Sequence, residues 1–292
     1  MNLVVCVKQV ADTTVPISIN HQTKTIETAG MVYVANPCDK VATEEAVRIK
    51  EALGSGKVTL VSMGSTTARD ALRDCLALGA DGALLLCDPA FEGSDPYATA
   101  LVLARSIGTM EYDLILCGKE ADDDAAGQVG ALLAEMLHIP YLAGATKLSV
   151  SAPDKKVVLH QRLEKGDRRV VACPLPAVVA VEPDLNQPRY PSLPALMAAR
   201  RKRMEERDAA ALGLLPEAVG AKGARTRILS FSPPKPRLKK LFIPDSSLPA
   251  QQRLRLILSG GVAEKKGELL RGDARKLASQ VFQFLRQEKI VS

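Results

Sequence analysis

Tryptophan is absent and aromatic residues make up 3% of the 292 positions. Stacking platforms for single-stranded nucleic acid are therefore scarce, and no nucleic-acid partner is expected. The six cysteines (Cys6, Cys38, Cys75, Cys87, Cys117, Cys173) include no Cys-x-x-Cys pair, and the three histidines (His21, His138, His160) are equally dispersed. Zinc and iron–sulfur centres need clustered ligands, so no metal site is expected and the thiols read as buried and reduced. No apolar run approaches the roughly 20 residues that span a bilayer, which argues against membrane insertion. The opening MNLVVCVKQV has neither a basic n-region nor a small-residue cleavage site; it reads as a first strand, and a cytoplasmic protein is expected. There is no P-loop, no GxGxxG after the first strand, no nucleophile elbow and no HExxH, so no catalytic residue and no enzyme activity of its own is expected.

What is present is an ordinary globular composition, 47% hydrophobic and 25% charged, long enough for a large core. The net charge of +6 is concentrated after Pro188 and reads as a solvated, partner-facing tail.

Short runs rich in Val, Leu and Ile at Asn2–Val7, Lys57–Met63, Gly82–Cys87 and Asp113–Cys117 suit strands buried on both faces of a parallel sheet. Helical spacing fills the gaps: Asp39–Leu53 with Asp39 as N-cap, Thr66–Leu78, Ser94–Ile107 and Ala126–Leu137. This alternation predicts an α/β, Rossmann-like, mostly parallel open sheet with helices on both faces. Lys155–Arg162 and Arg169–Val181 read as an added hairpin around Glu164–Asp167. A proline-rich stretch precedes a basic helix from Ala195 to about Arg207. The arm after Gly213 carries a short strand at Arg227–Phe231 and a proline cluster at Pro233–Pro236. Two closing helices are expected near Leu248–Leu258 and Asp273–Gln287. The expected organisation is a nucleotide-binding domain over 1–185, a loop and basic helix over 186–207, and a C-terminal arm over 208–292 that packs on a partner.

Three loops could carry function. Asn36-Pro-Cys-Asp39 precedes a helix and is either a plain cap or an anion site built from backbone N–H groups. Gly118 to Gly130 joins a strand to a helix; its small residues admit close approach, whereas three consecutive aspartates would repel a phosphate unless they cap, turn away or hold ribose hydroxyls. Asn186 to Pro194 is stiffened by proline, with Leu193 either an exposed apolar anchor or a residue packed under its own loop.

Together these segments resemble the beta subunit of electron transfer flavoproteins. The resemblance is carried by Val7-Lys-Gln-Val10 with Asp12, by Asn36–Asp39 with Ala42, Glu44, Glu45, Ala46 and Arg48-Ile-Lys, by Leu72-Arg and Leu78-Gly-Ala-Asp81, by Gly118-Lys119 through Gln128 and Gly130, and by Asn186, Pro188-Arg-Tyr190 and Leu193-Pro194. It implies a heterodimer with an alpha subunit that holds most of a redox-active FAD. That dimer accepts electrons from flavin dehydrogenases, such as acyl-CoA dehydrogenases, and passes them on. It implies a nucleotide, AMP, bound by the beta subunit itself through Cys6, Asn36, Pro37, Cys38, Asp39, Met63, Gly118, Lys119, Glu120, Ala121, Asp122, Asp123, Asp124, Ala125, Ala126, Gly127, Gln128 and Val129. Leu193 falls where the family docks its dehydrogenase. Electron-bifurcating members hold a second FAD instead of AMP. The loop Asp122–Gly130 matches neither form; Gln128-Val-Gly130 leans to the bifurcating one and the acidic triplet to the ordinary one. An isoalloxazine also needs a partly aromatic slot, for which only Tyr33 and Tyr97 are at hand, so AMP is favoured. A universal-stress-type regulator shares this sheet but uses a Gly-x2-Gly-x9-Gly loop, and Pro140 occupies the place of its last glycine.

Overall fold

The computed structural model describes residues 1–20, 22–163, 166–232, 244–258 and 272–287. They fall into two compact units, 1–233 and 234–292. The first is built on nine strands: β1 (Asn2–Cys6), β4 (Lys57–Met63), β5 (Gly82–Leu86), β6 (Leu114–Gly118), β7 (Tyr141–Ser151), β8 (Lys156–Arg162), β9 (Arg168–Pro174), β10 (Ala177–Val181) and β11 (Glu205–Arg207). Their order is β11-β5-β4-β1-β6-β10-β7-β8-β9, and β2 (Gln9–Ala11) pairs separately with β3 (Tyr33–Ala35). Within the nine-stranded sheet pairing is parallel except where β8 runs against β7 and β9, and the separate β2–β3 pair is antiparallel.

Alternation along the strands builds two cores. Leu3, Val5 and Val7 face α1 (Pro37–Leu53), α2 (Ala68–Leu76) and α5 (Leu193–Arg201). Val4 and Cys6 face α3 (Pro96–Ile107) and α4 (Val129–Leu137). Strands buried on both sides need apolar residues at every position, which is why these runs are continuous rather than alternating. The chain places β4 on one side of β1 and β6 on the other, so the topological switch falls at the carboxyl end of β1, where open α/β sheets take ligands.

Several expectations are corrected. Asn36, not Asp39, occupies the N-cap of α1, because Pro37 starts the helix; Asp39 lies inside its first turn and is buried. The fourth helix begins at Val129 rather than Ala126, since Ala125 and Gly127 have φ of 48° and 61° and cannot continue a helix backward. The expected single strand Arg169–Val181 is two strands, β9 and β10, with Pro176 between them lacking the N–H that a ladder needs. β10 is a fully buried central strand, and β7 beside it was not anticipated. The basic helix stops at Arg201, and Glu205–Arg207 instead pairs with β5 at the sheet edge. Arg227–Phe231 is not a strand. Glu164 and Lys165 of the hairpin turn, His21 and the proline cluster Pro233–Pro236 lie outside the described residues.

Residues 220–223 form the one-turn α6. The second unit contains α7 (Ala250–Leu258) and α8 (Ala274–Gln287). Leu254, Ile257 and Leu258 of α7, and Val281, Phe282 and Phe284 of α8, are exposed. Among the described residues, no helix is long and apolar enough to cross a membrane.

Candidate functional site

A cavity of about 680 Å³ opens at the carboxyl ends of β1, β4 and β6. Of the sequence-predicted residues, Cys6, Asn36, Asp39, Met63, Gly118 to Ala121, Asp124 and Ala126 to Val129 line it. Pro37, Cys38, Asp122, Asp123 and Ala125 do not.

Asp39 organises the floor. Its Oδ2 accepts the Lys8 N–H at 2.8 Å and its Oδ1 the Gly118 N–H at 2.9 Å, so one buried carboxylate joins the ends of β1 and β6. Burial pushes this carboxyl up to about 6 against the backbone donors that favour its charge. Asn36 holds the loop above, accepting the Asp122 N–H at 3.2 Å and donating to the Glu120 carbonyl at 3.1 Å. Lys119 pairs with the buried Glu182 at 3.1 Å.

Two carboxylates of the acidic triplet have partners. Lys8 Nζ lies 2.7 Å from Asp123 and 3.0 Å from Asp124. Partial burial would lower the Lys8 ammonium, but these two carboxylates outweigh it and raise it. Asp124 also accepts the Ala126 N–H at 3.1 Å. Two of the three negative charges are thus turned to a lysine and to the loop's own backbone. The helix start is left open: α4 has Gln128 at its N-cap with no side-chain cap, and Gln128, Val129 and Gly130 all line the cavity. First-turn N–H groups without a capping side chain suit an anion.

The cysteines at the cavity are not thiolates. Burial pushes the Cys6 thiol to about 12 and the Cys38 thiol to about 11, and raises that of Cys117 as well. These thiols stay protonated, and Cys6 and Cys117 line the cavity. None of the described lining residues is aromatic. Tyr97 carries the Arg225 guanidinium 5.0 Å from its ring centroid, and Tyr33 is exposed.

The sequence reading missed one wall. Gly93 to Pro96, Thr99 and Leu103 line it from the start of α3, with Ala221, Ala224 and Thr226 to Ile228. The signal was available in Asp95-Pro96, an N-cap and first-turn proline after β5, a loop that the reading passed over.

Leu193 stands outside the cavity. The segment before it is fastened to α1: Asn186 Nδ2 donates to the Val41 carbonyl at 3.1 Å and to Glu45 at 2.9 Å. Arg189 forms bonds to both oxygens of Glu51 (2.7 and 2.8 Å) and of Glu44 (2.9 and 3.2 Å). Beyond these anchors the apolar groups face out, with Leu193 72% and Tyr190 96% exposed. Leu193 is therefore not packed under its own loop.

The profile of the Electron transfer flavoprotein domain matches residues 23–212. The chain is 40% identical over 235 residues to the electron transfer flavoprotein subunit beta of Thermoanaerobacterium thermosaccharolyticum, covering 80% of this chain and 88% of that protein. It is 38% identical to the subunit of the same name from Megasphaera elsdenii, with the same coverage. It is 36% identical to the caffeyl-CoA reductase-Etf complex subunit CarD of Acetobacterium woodii, again over 80% of this chain and 88% of that protein.

Proposed function

Because the chain belongs to the electron transfer flavoprotein family, as a beta subunit, we propose that it is one half of a cytoplasmic heterodimer that accepts electrons from flavin dehydrogenases, such as acyl-CoA dehydrogenases, and passes them on. In this reading the alpha subunit holds most of the FAD, which supplies the redox chemistry when bound. This chain contributes binding and docking, with no general base of its own. The second unit, with the exposed apolar faces of α7 and α8, is the arm that packs on the alpha subunit, whereas Ala209, Leu214 and Val219 are buried in this chain's own core.

The cavity holds an adenine nucleotide. The uncapped start of α4 receives its phosphate, and the ion pairs from Lys8 to Asp123 and Asp124 offset the negative charge of the loop beside it. The observation that carries the choice of AMP is the lining: it offers no described aromatic side chain to an isoalloxazine. The ending Gln128-Val-Gly130 favours the second reading, a bifurcating subunit with a second FAD in the same place. Heat-denaturing the purified heterodimer and quantifying the released nucleotides by chromatography decides between them. One FAD and one AMP per dimer are expected; two FAD and no AMP would establish the second reading.

Leu193 at the head of α5, beside Tyr190 and Met197, is the apolar anchor for the dehydrogenase. Truncating such an anchor typically costs about 2 kcal/mol or more. Leu193→Ala should weaken reduction by the cognate dehydrogenase while the flavin spectrum and content stay as in the wild type. Unchanged transfer, or loss of flavin, would remove Leu193 from this role.

A further inference from the structure

Ala221, Ala224 and Thr226 to Ile228 of the segment 220–231 form part of the cavity wall, and this segment lies beyond the stretch matched by the family profile. After the one-turn α6 this segment has no regular structure among its residues. Its near end is fixed by the Ala221 N–H to the Glu92 carbonyl at 2.9 Å and the Gly220 N–H to Ser94 Oγ at 3.1 Å. Its far end is fixed by the Phe231 N–H to the Lys24 carbonyl at 3.0 Å. Between these points it is held by Asp95. Oδ2 of Asp95 accepts the Arg225 N–H at 2.8 Å, the Thr226 N–H at 2.8 Å and the Thr226 hydroxyl at 2.9 Å. Oδ1 of the same carboxylate caps α3 through the Ala98 N–H at 3.0 Å.

Apolar packing adds little here. Ile228 and Leu229 are 71% and 83% exposed. A segment with few buried apolar contacts opens at low free energy, so its place over the cavity depends on charge-assisted hydrogen bonds, which are stronger than neutral ones. We propose that residues 220–231 are a strap that retains the ligand of the cavity, and that Asp95 is the positioning residue that keeps the strap in place. The inference rests on the reading of the cavity as an adenine nucleotide site.

A nearby residue supplies the control. Asp88 is built in the same way, accepting the Ala90 N–H at 2.8 Å through one oxygen and the Ala209 N–H at 2.9 Å through the other, but it does not line the cavity. Asparagine caps helices about as well as aspartate, so Asp95→Asn keeps the cap of α3 and turns an NH2 group toward three donors.

Purified heterodimers are dialysed against nucleotide-free buffer, and the AMP that remains is quantified over time after heat denaturation. Asp95→Asn should lose AMP roughly ten- to a hundredfold faster than the wild type, with FAD content unchanged. Thr226→Val, which removes only the hydroxyl bond, should show a smaller increase, and it covers the case in which Asp95→Asn does not fold. Asp88→Asn should retain AMP like the wild type. Equal loss from Asp95→Asn and the wild type would overturn the strap, as would equal acceleration in Asp95→Asn and Asp88→Asn, which would mark general loosening. A wild-type dimer that never holds an adenine nucleotide in this site would overturn the nucleotide reading itself.

Discussion

Replacing Arg189 by methionine is expected to destabilise the protein by about 3 kcal/mol and to slow reduction by the cognate dehydrogenase more than Leu193→Ala does. The Glu44 side chain is 2% exposed and accepts two bonds from the Arg189 guanidinium. Removing one partner of a buried ion pair costs ~3–5 kcal/mol because the other charge is stranded. Arg48 stays on Glu44 at 2.7 Å, which places the loss at the lower end. Burial alone would raise the Glu44 carboxyl, but the bonds from Arg189 and Arg48 outweigh it and hold it below its ordinary 4.5. A depressed carboxyl contributes stability above its unfolded pKa and loses it as pH falls through the folded one. The gap between wild type and variant should therefore be widest near neutrality and narrow below about pH 4.5. Function suffers through the loop: Arg189 also spans to Glu51, and without it the exposed Tyr190 and Leu193 lose their fixed presentation. Chemical denaturation at two pH values, with dehydrogenase-driven flavin reduction on the same samples, checks both parts. A variant as stable as the wild type, with normal transfer, would show that the Glu44 cluster does not hold this loop.

That staple illustrates what the sequence made legible and what it did not. Val4 and Val5, apolar on both faces of β1, announce a buried parallel strand without help from distant residues. So do Leu84 and Leu85 in β5. The two small loops at strand ends, Asn36–Asp39 and Gly118–Gly130, were legible as a pair because helix starts after parallel strands collect at one edge of the sheet. Their connection was not. That Asp39 would forgo capping and bond Lys8 and Gly118 instead follows from Pro37 and from sheet order, which brings β6 beside β1 across a long stretch of chain. β11 was misread because Glu205-Glu-Arg207 has no strand pattern; three polar residues become a strand there only because β5 offers a free edge. For the wall formed by Asp95 and residues 224–228, the Asp95-Pro96 cap was the legible half and its link to the distant segment was not. Its hydrogen bonds join positions about 130 residues apart, and each partner alone looks like a common cap or an unremarkable loop.

The Asp39 arrangement carries the other large expectation. Gly118 ends β6 with no room for a side chain: a Cβ there would lie 2.5 Å from Asp39 Oδ1 and 2.9 Å from the Cys38 Cβ. Gly118→Ala must push the carboxylate off the Lys8 and Gly118 N–H groups. Overpacking typically costs ~1–3 kcal/mol, and each buried donor left unpaired a further ~1–3 kcal/mol. A total of about 3–5 kcal/mol, or roughly 10 °C in Tm for a unit of this size, is expected in the heterodimer, with loss of AMP. The pH dependence should change too. In the wild type the Asp39 carboxyl sits at about 6, above its ordinary 3.8. Its protonation therefore favours the native state: that contribution is full below the ordinary value and is lost as pH rises through about 6. In the variant the displaced carboxylate reaches the cavity, is hydrated, and returns toward its ordinary pKa. Urea midpoints measured between about pH 4 and 6 should fall with rising pH in the wild type more steeply than in Gly118→Ala. An unaltered slope would mean that the methyl group is absorbed without moving Asp39; an unaltered Tm with AMP retained would remove Gly118 and Asp39 from the architecture of the site.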